Sequence, residues 1–209
     1  MLEVNSLEFG FERSLVAGLS FSVPKGQIRL LHGPSGSGKS TLLALISGTP
    51  IIGLSWQGTI MLDGLNIGAL TAHRRAVGII YQDALLFPHL SVGENLAFGL
   101  SESVRGKSRH KAVLDALALA SLQDFANRDP ASLSGGQAAR VALMRALLAK
   151  PKALLMDETF SSLDPDLRRQ FGHFVASQIK LQQIPALLVS HDVTDQEFAS
   201  GSVLQFPAE

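Results

Sequence analysis

Gly33-Pro34-Ser35-Gly36-Ser37-Gly38-Lys39-Ser40-Thr41 is the stretch that decides the fold. Its spacing is G-x-x-x-x-G-K-[ST], and its flanks are those the pattern requires. Gln27 to Leu31 ahead of it reads as a strand, and Thr41 to Ile46 behind it reads as an apolar helix ending at Ser47-Gly48. The glycines let the backbone curl so that successive N–H groups point inward at phosphate oxygens. The helix start adds its own unpaired N–H groups and positive dipole end. Lys39 would reach β- and γ-phosphates, and the Ser40 hydroxyl would take a place on Mg²⁺.

Two further apolar runs end in chemistry. Ala153-Leu-Leu-Met-Asp157-Glu158 reads as a buried strand with two carboxylates at its carboxyl end, where ligands of open α/β sheets sit. Asp157 suits a direct or outer-shell place on Mg²⁺, which takes few carboxylates. Glu158 can polarise an attacking water. Ala186-Leu-Leu-Val-Ser190-His191 repeats the pattern, and its imidazole can meet a γ-phosphate oxygen or the water. His32, His73, His89, His110 and His173 lack this placement and read as surface or packing residues.

Around these runs, Leu2–Val4, Leu7–Phe9 and Leu19–Val23 read as antiparallel strands. Gly58 to Gly64 reads as a strand closed by an Asp-Gly turn, and Ala76 to Tyr81 as a short strand. From Ser91 to Ala149 the texture is helical, with Val113, Leu114, Leu117, Leu119 and Leu122 at helical spacing and a polar loop expected at Ser101 to His110. Leu167 to Leu181 reads as a helix. Alternating strands and helices predict an α/β fold with a parallel core.

Composition narrows the classes. The 209 residues carry 18 Lys and Arg against 18 Asp and Glu, so a duplex would not find the basic surface it needs and no nucleic-acid partner is expected. Cys is absent, which excludes disulfides, thiolate metal sites and a cysteine nucleophile. Met1-Leu-Glu-Val-Asn5 has no basic segment followed by an apolar one, so no signal peptide is expected. No apolar run reaches the roughly 18 residues of a membrane span. An N-K-x-D base-reading motif of GTPases is also missing.

Leu133-Ser134-Gly135-Gly136-Gln137 separates the phosphate-loop families. Ser134 is a good N-cap for the helical run Ala138 to Ala149, whose first N–H groups make a second anion site. Together these residues resemble the ATP-binding subunit of ABC transporters over essentially the whole chain. In order they match a Walker A loop at 33–41, a Q-loop glutamine at Gln82, an LSGGQ signature at 133–137, Walker B at 153–158, a D-loop at 161–164 and an H-loop at His191. The stretch Asp157 to Asp164 looks like the small-solute importer branch, and the chain resembles small single-domain importer ATPases such as thiamine-type systems.

The resemblance implies a P-loop NTPase core with a mostly parallel sheet and an N-terminal antiparallel β-subdomain, spanning 1–90 and 150–209, and an inserted helical signature subdomain at 91–149. It implies ATP and Mg²⁺ as cofactors and a head-to-tail homodimer that sandwiches two ATP. Ser134, Gly135, Gly136 and Gln137 of one subunit would close on the γ-phosphate held by the other's Lys39. Glu158 would be the general base, His191 would touch the γ-phosphate, Gln82 would sense Mg²⁺ and the lytic water, and Asp164 would link the two sites. Membrane-spanning permease subunits, docked near Gln82, Phe87, Pro88 and His89, and a solute-binding protein are the implied partners. The implied place is the cytoplasmic face of the inner (plasma) membrane, as a peripheral subunit.

Three departures from the family pattern stand out. Thr159 occupies the usual proline position, which sets the expectation of slower or less coupled hydrolysis. No tyrosine stands near the amino terminus to stack on adenine; Phe9 and Phe11 are both within reach, and Phe11 is favoured. The short stretch between His191 and Glu209 leads us to expect no regulatory domain and an abbreviated closing strand at Gly201 to Phe206.

Overall fold

The computed structural model describes residues 1–206; residues 207–209 of the expected core lie outside them. Two sheets carry the architecture. The first is antiparallel, with order β2-β1-β4-β5, from β1 (Leu2–Gly10), β2 (Ser14–Val23), β4 (Ser55–Leu62) and β5 (Leu65–Asn66). The second is parallel throughout, with order β6-β7-β8-β3-β9, from β3 (Ile28–His32), β6 (Val77–Ile80), β7 (Ala153–Asp157), β8 (Ala186–Ser190) and β9 (Leu204–Gln205).

The central strands of the parallel sheet are apolar at successive positions because both faces are covered. Leu154, Met156, Ala186, Leu188, Ile28 and Leu30 share one buried cluster with the helices α2 (Val92–Phe98), α3 (Gly106–Leu119), α4 (Gly135–Leu148) and α5 (Pro165–Gln182). The alternate residues Ala153, Leu155, Leu187, Val189 and Leu31 share the other with α1 (Lys39–Ser47) and the antiparallel sheet. None of the helices among the described residues is long and apolar enough to cross a membrane.

Parallel pairing is what builds the site. His32 is in register with Ser190, Asp157 with Val189, and Ile80 with Met156. The carboxyl ends of β3, β6, β7 and β8 therefore emerge along one edge of the sheet. The residues that follow them are Gly33, Tyr81-Gln82, Glu158 and His191.

The structure corrects several boundaries. The runs 2–4 and 7–9 are one strand, interrupted by a bulge where Ser6 takes φ 46° and the register shifts. The loop expected at Ser101 to His110 ends early, because α3 already begins at Gly106. Its polar first turns hold because the Arg109 guanidinium donates to the carbonyls of Ala97, Ser101 and Val104. Helix α5 starts at Pro165 rather than Leu167, with Asp164 as N-cap and proline in the first turn. The closing strand is indeed brief, two residues long.

Candidate functional site

The phosphate loop joins β3 to α1. Gly38 is the N-cap of α1 at φ 98°, a left-handed conformation that a side chain resists. Gly33 is required for a different reason: a Cβ there would lie 1.9 Å from the Phe206 carbonyl oxygen. That residue is itself pinned by its N–H to His32. Lys39 is buried, and its ammonium donates to the Gly33 and Pro34 carbonyls at 2.8 and 2.6 Å, so it is folded back over the loop. Pro34, Ser35 and Gly36 are exposed and Ser37 and Thr41 partly so.

Ser40 opens the second turn of contacts. Its hydroxyl donates to Asp157 Oδ1 at 3.3 Å, across from the end of β7. Burial pushes the Asp157 carboxyl above its ordinary range; the Ser40 hydrogen bond pulls it back, Glu158 pushes it up and Lys39 lowers it. Ser40, Gln82, Asp157 and Glu158 line one cleft. A hydroxyl beside a single carboxylate fits Mg²⁺, which is completed by waters and phosphate oxygens. No cluster of three acidic or histidine side chains among the described residues offers an all-protein metal cage.

Glu158 sits at φ 48°, where its N–H donates to the Val189 carbonyl and its own carbonyl accepts from Ser161. Its carboxylate lies 3.4 Å from His191 Nδ1, so the ends of β7 and β8 bring those two side chains together. Thr159 is buried, with its hydroxyl 3.5 Å from the Ile80 carbonyl at the end of β6. A proline there could not make that bond.

The signature residues and Asp164 do not line this cleft, although Ser161 at the start of the D-loop is bonded to the Glu158 carbonyl. Ser134 and Gln137 form a reciprocal capping box at the start of α4. Gly135 lines a neighbouring hollow with Gln82, Thr159 and Ser162. Gly136 is buried against Leu167. Asp164 spends its carboxylate on the Leu167 N–H as N-cap of α5. The two aromatic candidates differ in exposure. Both border one hollow with Trp56 and Gln57, but Phe9 is 1% exposed and stacks on Phe206, whereas Phe11 is 48% exposed.

Residue spacing does not reveal what holds the loop after Gln82. Asn95 is fully buried and bonds the Phe87 N–H and the carbonyls of Phe87, Leu90 and Ser91. Arg145 of α4 donates to the Ala84 and Leu85 carbonyls and to Asn95, with its guanidinium 5.2 Å from the Phe87 ring centre. A polar residue on an otherwise apolar helix face was the one local signal for either.

A family model described as ABC transporter matches residues 16–161, which include the phosphate loop, the signature and the Asp157-Glu158 strand end. The chain belongs to the ABC transporter family. This ABC ATPase is 47% identical to the uncharacterized ABC transporter ATP-binding protein YnjD of Escherichia coli K12, over 92% of this chain and 88% of that protein. It is 40% identical to the Fe(3+) ions import ATP-binding protein FbpC 3 of Rhodococcus jostii, over 97% of this chain and 58% of that one. The spermidine/putrescine import ATP-binding protein PotA of Mannheimia succiniciproducens is 37% identical, over 92% and 51%. The chain thus spans little more than half the length of these two importer proteins. Its structure is similar, with a TM-score of 0.79 and 26% identity over 99% of the chain and 94% of the other, to a dimeric post-hydrolysis state of the ATP-binding cassette MJ0796 bound to ADP and Pi. The expected α/β P-loop NTPase fold of an ABC ATPase is therefore the fold of this chain.

Proposed function

We propose that this chain is the ATP-hydrolysing subunit of an importer for a small solute, working as a homodimer that closes on two ATP. The observation that carries the reading is the convergence of Lys39, Ser40, Gln82, Asp157, Glu158 and His191 on one sheet edge. Lys39 would exchange its loop carbonyls for β- and γ-phosphate oxygens, and the N–H groups of 33–41 would cradle the rest. Ser40 and Asp157 would hold Mg²⁺, with Gln82 nearby; when bound, that ion neutralises phosphate charge as the γ-phosphoryl leaves. Glu158 would orient and deprotonate the water, and His191 would hold the γ-phosphate. Phe11, being exposed, is the better stacking surface for adenine.

In the dimer, Ser134, Gly135, Gly136 and Gln137 would meet the partner's nucleotide, and Asp164 would lie at the junction of the two sites. The signature helix lies outside the cleft of its own subunit, which suits a role in the other's. We take 1–90 with 150–209 as the ATP-binding core and 91–149 as the helical signature unit. The exposed side chains of Leu85 and Phe98, beside Phe87, offer an apolar surface for a permease segment. A peripheral place on the cytoplasmic face of the membrane follows from such a partner.

Purification of the tagged chain from detergent-solubilised membranes, with mass spectrometry of what accompanies it, tests the transport half. A multi-span permease in stoichiometric amount, with a solute-binding protein, is the expected result. Recovery solely from the soluble fraction with ribosomal or repair proteins would overturn it.

A further inference from the structure

We propose that Arg168 is a positioning residue that ties the His191 turn to the start of α5, so that the placement of Asp164 sets the geometry between His191 and Glu158. The proposal rests on the reading that Glu158 and His191 act on ATP.

Arg168 lies one turn into α5, and its N–H donates to the Asp164 carbonyl at 2.8 Å. Its side chain reaches two carboxylates on the segment after β8. Nε and Nη2 make a bidentate pair with Asp195, both at 2.7 Å, and Nη1 meets Asp192 Oδ2 at 2.7 Å. The two arms differ in kind. Asp195 is 1% exposed and cannot be left without a cation, so that arm holds the fold. Asp192 is a third exposed and is the residue directly after His191. Its Oδ1 is already used by the N–H and hydroxyl of Thr194, and its own N–H is taken by Ser190. The Asp192 arm thus adds little to burial and fixes the backbone that carries His191.

These bonds close a ring. The Glu158 carbonyl accepts from Ser161, the chain runs on to Asp164, and Asp164 leads through Arg168 to Asp192 and His191. His191 returns to the Glu158 carboxylate. A shift of the segment 161–164, the part expected to meet a second subunit, is carried by a fork-shaped, rigid guanidinium to the imidazole.

Asp192→Asn isolates the positioning arm. The amide keeps an oxygen for Thr194 but turns an N–H₂ group toward Arg168, and the Arg168–Asp195 pair is untouched. Phosphate release against ATP concentration, measured on the full chain, should show kcat down by about ten- to a hundred-fold with KM for ATP and the urea midpoint unchanged. Arg168→Ala should lower the urea midpoint as well, since it strands Asp195. Wild-type kcat in Asp192→Asn overturns the positioning role while leaving the ATPase reading intact. A wild-type chain that releases no phosphate overturns both.

Discussion

Ser40 and Asp157 are 117 residues apart in the chain, and their side chains meet at 3.3 Å across the gap between the phosphate loop and the end of β7. Burying the Asp157 carboxylate is costly without a cation: burial holds its carboxyl above the ordinary range, although the Ser40 hydrogen bond pulls it back. A group whose pKa is raised by folding lends stability below its unfolded pKa and loses it as pH rises through the folded value. Asp157→Asn should therefore melt higher than wild type at pH 7 in the absence of nucleotide and Mg²⁺. The gain should vanish at acid pH, where the carboxyl is protonated in both states. Thermal melts at the two pH values check this, and Mg²⁺-dependent tightening of ATP binding should be lost in the same variant.

Arg75 gives a prediction on stability alone. It is buried, and its guanidinium donates to the Leu45 and Ile46 carbonyls at the end of α1 and to those of Gly68 and Leu70. A cation at that helix end is favoured by the dipole, and removing it strands several carbonyls. Arg75→Met should cost about 2–4 kcal/mol in urea unfolding.

The two N-terminal phenylalanines should separate by assay. Phe9→Ala removes a ring packed on Phe206 and against Gly38 and should cost about 3–5 kcal/mol of stability. Phe11→Ala should leave the urea midpoint near wild type and weaken ATP binding on the order of tenfold, the worth of one base stacking contact. Titration of a fluorescent ATP analogue against each variant distinguishes them.

How far these features are legible before folding depends on what stabilises each. The strands at 28–32, 153–157 and 186–190 announce themselves as short apolar runs because a parallel sheet is covered on both faces. The phosphate loop, Glu158 and His191 are legible because strand ends and motif spacing are local properties. The first turns of α3 are not, since they rest on Arg109 reaching carbonyls a turn or more upstream. Asn95, Arg145 and Arg168 are hidden for the same reason: their partners lie on other elements or on backbone, and no spacing encodes them.

The central claim is that Glu158 drives ATP hydrolysis at this site, and steady-state phosphate release by wild type and Glu158→Gln with Mg²⁺ and ATP tests it most directly. The account predicts turnover in the wild type, a loss of about a hundred-fold or more in the variant, and an ATP-held dimer of the variant on size exclusion. Equal turnover in the two proteins would contradict it.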